Sequence, residues 1–164
     1  MQVGIYDVDS KIPNLALMKI SQWHKSKGDG VELYNPLWLD SYDKVYASKV
    51  FDFSDGSMLV PDRMTIGGTG WNNTTLPQNI EDCIPDYTIY NYPHSIGFTM
   101  RGCRFNCKFC VVPEKEGKPK SNNTIDKIWT NRGSDFIVLL DNDFFGNPEW
   151  EERIKEIKDY GLKV

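Results

Sequence analysis

The chain has 164 residues, of which 40% are hydrophobic and 26% charged, a composition that allows a buried core. Its formal net charge is −4 and its pI about 5.2, so no overall basic field would attract nucleic acid. The longest aliphatic run, Phe136–Leu140, is far too short to cross a bilayer, and the amino terminus lacks a signal-peptide pattern. We therefore expect a cytoplasmic protein in a reducing compartment, with no membrane partner.

Residues 1–70 predict strands that alternate with a helix. Asn14 is placed to cap a helix over Leu15–Lys27, and Gly28 is placed to end it. The predicted strands are Val3–Val8, Val31–Tyr34, Lys44–Phe51 and Met64–Ile66. This order predicts an α/β domain with a small Rossmann-like sheet.

Residues 71–94 are irregular and rich in Asn, Pro and Tyr, and we interpret them as a linker between two domains. After the linker, strands are predicted at Ser95–Met100, Phe136–Leu140 and Leu162–Val164, and helices at Thr124–Asn131 and Glu149–Tyr160. This alternation of strands and helices is typical of a TIM-type barrel, and it stops after about two βα units. Residues 95–164 are therefore predicted to be the incomplete N-terminal part of a barrel, either as a fragment or with a second chain completing it.

Three of the four cysteines, Cys103, Cys107 and Cys110, have the spacing C-x3-C-x2-C. The positions i, i+4 and i+7 share one face of a helix, so three core cysteines on a helix would give this spacing. Gly102 before the first cysteine and Pro113 after the third argue against a helix.

Metal binding is the other interpretation of these thiols in a reducing compartment. A structural zinc site needs a fourth ligand at a distance, for which the chain offers Cys83, His24 and His94. A ferredoxin-type cluster also needs a fourth cysteine, whereas three thiolates leave one iron of a [4Fe–4S] cluster open. The residues alone leave zinc and iron–sulfur binding both open.

The segment C-R-F-N-C-K-F-C resembles the C-x3-C-x-aromatic-C signature of the radical S-adenosylmethionine (SAM) superfamily. The aromatic residue is Phe109, which the resemblance implies is close to SAM. It also implies that Cys103, Cys107 and Cys110 hold a [4Fe–4S] cluster whose fourth iron binds SAM. The implied reaction yields a 5′-deoxyadenosyl radical that abstracts a hydrogen from an unknown substrate, with electrons from a flavodoxin- or ferredoxin-type donor.

Two more segments resemble branches of this superfamily. Leu139–Phe145 is similar to a D-D-N-F-type segment, which implies that Asp141, Asn142 and Asp143 contact the SAM amine. A solvated turn at the end of a strand is the structural alternative. The later G-x-I-x-G-x-x-E-like segment of the family is absent, which leaves the substrate pocket undefined.

The first domain resembles the N-terminal domain of the cobalamin-binding class of these enzymes. The resemblance rests on layout and on Ile66-Gly67-Gly68, which implies that Gly67 and Gly68 line a cobalamin site. The D-x-H-x-x-G signature of base-on cobalamin binding is absent. Glycines after a strand also serve simply as turns, and the polar cluster Asp7–Lys11 is the most site-like segment of this domain.

Residues 101–120 contain six basic and two acidic residues, a local net charge of +4 that leaves −8 for the rest of the chain. Cations stabilise the thiolates of a reduced cluster, which is sufficient to explain this charge. A phosphate-bearing or nucleic-acid substrate is the alternative explanation.

The leading hypothesis is a radical SAM protein with a [4Fe–4S] cluster, SAM and, as a further option, cobalamin. The alternatives are a non-catalytic iron–sulfur or zinc protein, and an incomplete fragment that acts as a binding module.

Overall fold

The computed structural model describes residues 1–164 and divides them into two compact units, Met1–Tyr92 and Pro93–Val164. The strands are β1 Gln2–Asp7, β2 Gly30–Leu33, β3 Lys44–Ser48, β4 Met64–Gly67, β5 Ser95–Gly97, β6 Met100–Arg101, β7 Lys120–Ser121 and β8 Ile137–Leu139. The α-helices are α1 Leu15–Lys25, α2 Gln78–Glu81, α3 Val112–Lys115, α4 Ile125–Ile128 and α5 Trp150–Asp159. Short 3₁₀ turns lie at Pro36–Ser41, Tyr87–Tyr90 and Phe144–Gly146.

The first unit contains a four-stranded parallel sheet in the order β2-β1-β3-β4. One face buries Val3 and Ile5 of β1 and Tyr46 of β3 against α1, while Val45 and Ala47 of β3 are buried in a second cluster. Successive side chains on a strand point to opposite faces, so β3 supplies both clusters. The predicted α/β class is confirmed.

Helix α1 begins where the sequence predicts, because the Asn14 side chain accepts a hydrogen bond from the backbone N–H of Leu17 at 3.2 Å. Leu17 and Ile20 face the sheet and are buried. The helix ends at Lys25, two residues before the predicted end, and Gly28 follows with a φ of +83°. A positive φ favours glycine, so the chain reverses there into β2.

Residues 71–92, interpreted from the sequence as part of a linker, pack on the first unit. Ile80 of α2 belongs to the cluster under α1, and Lys19 pairs with Glu81 at 2.8 Å. The Ser21 hydroxyl donates to the buried carboxylate of Asp86 at 2.6 Å. Glu81 and Asp86 of this segment thus have partners on α1, and the change of unit falls between Tyr92 and Pro93.

In the second unit, β5 and β8 pair in parallel, and β6 and β7 pair antiparallel. The predicted strand Ser95–Met100 is therefore divided, since β5 ends at Gly97 and the chain turns before β6. Leu162–Val164 forms only a parallel bridge between Lys163 and Phe136, although the backbone of Lys163 bonds Ile137 and Asp135. Ile125, Ile137 and Leu162 form the core of this unit. None of the helices has the length and apolarity needed to span a membrane.

We expect Asn14→Ala to destabilise the first unit by about 1 kcal/mol, because it removes the cap of α1. It also removes the hydrogen bonds that the Asn14 amide donates to the hydroxyls of Ser10 and Ser48. Urea unfolding measures the change in free energy. Asn73→Ala, at an exposed asparagine, is the matched control and should stay within about 0.5 kcal/mol of the parent. Equal effects of the two substitutions would contradict the assigned cap.

Candidate functional site

Residues 101–120, here called the cysteine lobe, form an excursion whose two ends are joined. Arg101 of β6 is paired with Lys120 of β7, and the N–H of Cys103 donates to the carbonyl oxygen of Gly117 at 3.2 Å. Gly102 has a φ of +83°, and a Cβ at this position would lie 2.3 Å from the carbonyl oxygen of Lys118. Only glycine allows the two ends of the lobe to approach this closely.

Glu116 fastens the base of the lobe. Its carboxylate accepts hydrogen bonds from the backbone N–H of Gly102 at 2.9 Å and from the Arg101 guanidinium at 3.0 Å. The same guanidinium lies 3.8 Å from the centroid of the Phe98 ring. Sequence reasoning missed Glu116, and the available signal was an acidic residue beside a glycine in an otherwise basic stretch.

The three cysteines of the lobe lie outside helix and strand and are free thiols. Cys107 is exposed, whereas Cys103 and Cys110 are half-buried. The N–H of Cys110 donates to the carbonyl oxygen of Cys107 at 3.0 Å, so the C-x2-C part is a tight turn. The alternative of three core cysteines on one helix is therefore wrong.

The structure contains no group of three or more His, Cys, Asp or Glu side chains arranged to hold a metal ion. The donor set of the lobe nevertheless fits an iron–sulfur cluster in type, because three free thiols on one short loop can hold three irons of a [4Fe–4S] cluster and leave the fourth open. The cluster prediction therefore stays a prediction. Binding would require the three sulfur atoms to converge within the loop.

Of the three candidates for a fourth zinc ligand, both histidines have hydrogen-bond partners in the structure. Both ring nitrogens of the buried His24 are engaged, Nδ1 with Asp29 at 2.7 Å and Nε2 with the Tyr46 hydroxyl at 3.0 Å. His94 Nδ1 lies 2.8 Å from the Ser134 hydroxyl. These contacts favour a structural role for both histidines.

The cysteine lobe is tied to the segment after β8 that the sequence analysis predicted to bind SAM. The backbone N–H of Arg104 donates to Asp143 at 3.2 Å, and its guanidinium lies 3.2 Å from the same carboxylate. That guanidinium also donates to the carbonyl oxygen of Phe145 at 3.3 Å. The cysteine lobe and the segment after β8 thus meet in the second unit, through two residues that are 39 positions apart in sequence.

Asp141 links the ends of β5 and β8. Its carboxylate accepts hydrogen bonds from the backbone N–H groups of Thr99 at 2.8 Å and Met100 at 3.1 Å, and from the Thr99 hydroxyl. Nearby, the buried Asn147 side chain donates to the carbonyl oxygen of Thr99 at 3.2 Å and accepts from the Ser121 hydroxyl at 2.8 Å. Sequence reasoning missed Thr99 and Asn147.

The three residues predicted to bind the SAM amine differ in whether their side chains already have hydrogen-bond partners. Asp141 and Asp143 are committed to the turn after β5 and to the cysteine lobe. Asn142 between them is exposed, and its side chain makes no hydrogen bond. Asn142 is therefore the residue of this segment that is free to meet a ligand.

Two other features lie near the end of β8 and on the lobe. A cavity of about 290 Å³ opens there, lined by Leu139, Asp141, Phe144, Ile154, Ile157 and Val164. The Phe109 ring is 94% exposed and available for a ligand. The cavity is lined by apolar side chains apart from Asp141, so it suits an apolar group.

In the first unit, Gly68 has a φ of +95°, and a Cβ there would lie 2.2 Å from the carbonyl oxygen of Lys49. Gly67 has open space around it. Gly68 thus serves the close approach of two chain segments, while Gly67 carries no such constraint. The cobalamin site stays a prediction.

The polar segment after β1 is held by internal hydrogen bonds. Asp9 accepts from the N–H groups of Val50 at 2.8 Å and Phe51 at 2.9 Å. Burial raises the pKa of Asp9, but these amide hydrogen bonds outweigh it and leave the pKa below its usual value. Burial and the charge of Asp7, which accepts from the Tyr90 hydroxyl at 2.8 Å, raise the pKa of Tyr90. The segment therefore serves the fold as a capped turn.

No protein-family profile, curated protein or solved structure matches this chain.

Gly102→Ala is expected to loosen the base of the cysteine lobe more than Gly117→Ala does. Both glycines have positive φ, but only at Gly102 would the new Cβ meet backbone atoms. Gly117→Ala should cost about 1 to 2 kcal/mol from its backbone conformation alone, and Gly102→Ala should cost more. Hydrogen exchange at the amides of β6 and β7 reports the local opening. Equal exchange rates in the two variants would show that the close approach to Lys118 is not required.

Proposed function

We propose that this chain is a radical SAM protein whose cysteine lobe binds a [4Fe–4S] cluster through Cys103, Cys107 and Cys110. The observation that carries the proposal is the contact of the lobe, with its three free thiols, with the segment after β8. The chemistry that such a cluster supplies when bound is reductive cleavage of SAM to a 5′-deoxyadenosyl radical for hydrogen abstraction.

The arrangement of the strands supports the proposed barrel. β5 and β8 are parallel neighbours, and α4, which lies between them in sequence, packs on β5. The bridge from Phe136 to Lys163 adds the next extended segment in parallel on β8. Active sites of such barrels lie at the carboxyl ends of the strands, where the lobe and Asp141 are. For the first unit, the parallel order β2-β1-β3-β4 supports the proposed Rossmann-like fold.

The residues of the lobe have distinct roles in this proposal. Asp141 and Glu116 fix where the lobe begins, through the amides of Thr99, Met100 and Gly102. The Arg104–Asp143 pair holds the first half of the loop next to the end of β8. With its first residues fixed in this way, the loop would bring the sulfur atoms onto iron by rearranging residues 105–110.

The SAM contacts are assigned to groups that the fold leaves unpaired. The Asn142 side-chain oxygen can accept a hydrogen bond from the amine of SAM, and the exposed Phe109 ring can lie against its adenine. Electrons come from a donor of the flavodoxin or ferredoxin type. The discriminating alternative is a zinc or electron-transfer protein, in which the same thiols bind metal without responding to SAM.

Anaerobic reconstitution with iron and sulfide should give about four iron atoms per chain and, after reduction, a [4Fe–4S]⁺ EPR signal. Ser substitution of Cys103, Cys107 or Cys110 should abolish most iron binding, because each removes one of three ligands. Cys83→Ser is the matched control and should bind iron as the parent does, since Cys83 lies in the other unit.

Adding SAM to the reduced, reconstituted chain should shift the EPR signal, because SAM would bind the fourth iron. One zinc per chain with no iron, or a cluster that is indifferent to SAM, would reject the proposed function. Release of 5′-deoxyadenosine then separates an enzyme from a binding protein.

Asn142→Ala should weaken the SAM response about tenfold in a titration followed by EPR, because one hydrogen bond to a charged amine is lost. Iron content should not change. Asp141→Asn should instead lower the stability of the second unit, since its amide group would face the N–H donors of Thr99 and Met100. Asn73→Ala, exposed in the first unit, is the control for Asn142. An unchanged SAM response in Asn142→Ala would reject the assignment of this side chain.

A further inference from the structure

The outward part of the cysteine lobe combines exposed cations with exposed aromatic rings. All six residues of Arg104–Phe109 are exposed, and the order R-F-N-C-K-F contains two cations that are each followed by a phenylalanine. The Phe105 ring is 56% exposed and the Phe109 ring 94%. Exposure of a phenylalanine ring to water is unfavourable in free energy. Two exposed rings within five residues therefore indicate a surface that binds a partner.

Lys115 is half-buried, and the other five cations of the lobe fall into two groups. Arg101 and Arg104 are engaged with Glu116 and Asp143. The lysines Lys108, Lys118 and Lys120 are exposed and belong to no ion pair of the structure. Lys120 lies opposite Arg101 in the β6–β7 ladder, and the backbone of Lys118 lies against Gly102. The unpaired charges therefore lie both at the base of the lobe and on its loop.

A net positive charge is concentrated in this region. Residues 101–120 carry a net charge of +4, whereas the rest of the chain carries −8. A role in stabilising thiolates explains a cation on the cysteine loop, such as Lys108, but does not require the exposed Lys118 and Lys120 at the base. A partner with a repeating negative charge explains them directly.

We infer that the cysteine lobe binds single-stranded nucleic acid, with Lys108, Lys118 and Lys120 contacting phosphates and the Phe105 ring stacking on a base. Single strands offer both a charged backbone and unpaired flat bases, whereas a duplex hides the bases and an acidic protein surface lacks them. Phe109 is left for the proposed SAM contact. Binding of nucleic acid to the lobe does not require an iron–sulfur cluster. The idea that the bound nucleic acid is the substrate of radical chemistry rests on the proposed function.

Binding to the full chain is measured by fluorescence anisotropy with a labelled single-stranded RNA of about 12 nucleotides, within the usual site size of such proteins. Three phosphate contacts predict a log–log salt slope of about −2, since each contact on a single strand contributes about −0.7. Raising the salt from 50 to 200 mM should then weaken binding about twentyfold.

The combined variant Lys108→Glu, Lys118→Glu and Lys120→Glu should lower the affinity at least about tenfold and remove most of the salt slope. The combined variant Lys11→Glu, Lys155→Glu and Lys158→Glu has the same change of net charge at exposed lysines elsewhere, and should bind as the parent does to within about twofold. Phe105→Ser should lower the affinity about tenfold without changing the salt slope, because stacking is lost and phosphate contacts are kept.

Three outcomes would overturn the inference: equal losses in the two lysine variants, equal affinity for a duplex of the same sequence, or equal affinity for poly-glutamate of the same charge. The last would identify an acidic protein as the partner. The measurement is made on the chain before and after iron–sulfur reconstitution. RNA binding without a SAM-responsive EPR signal rejects the proposed function alone, and that EPR signal without RNA binding rejects this inference alone.

Discussion

The second unit depends on the carboxylate of Asp141. Parallel strands β5 and β8 end side by side, and the chain leaving β5 must turn within Phe98–Thr99 before it enters β6. A turn at this position exposes backbone N–H groups that no strand can satisfy, and Asp141 accepts those of Thr99 and Met100. Hydrogen bonds from amides to a charged carboxylate are strong, so this one side chain sets where the cysteine lobe begins.

The rest of the candidate site follows from that fixed starting point. With Met100 in place, Arg101 pairs with Lys120, and Gly102 lies close enough to Lys118 to exclude any side chain. Glu116 and Asp143 then neutralise the arginines nearest the base. The thiols are thereby carried on a short loop with anchored ends. Loop rearrangement to bind a metal then costs little chain entropy, because so few residues must be ordered.

Local rules predicted much of the fold and less of the site. The Asn14 cap, the apolar face of α1 and the β-rich runs located the helix and the strands of the first unit to within a few residues. Local rules could not show that Ser95–Met100 is divided between two sheets, because its hydrophobic pattern is continuous. Nor could they show that Glu81 and Asp86 bond to α1, since a polar segment resembles a linker until its partners are known. Pairing partners far apart in sequence decided both points.

The sequence by itself determined the α/β class, the spacing of Cys103, Cys107 and Cys110 and the concentration of positive charge around them, because composition and spacing are properties of the chain. Only the tertiary structure decided which polar groups are available to a ligand. Asp141, Asn142 and Asp143 are equivalent candidates in sequence, yet the fold commits the two aspartates as hydrogen-bond acceptors and leaves Asn142 exposed. The physical reason is that the backbone N–H groups bonded to Asp141 belong to residues 41 and 42 positions away in sequence, and only folding brings them within hydrogen-bond distance.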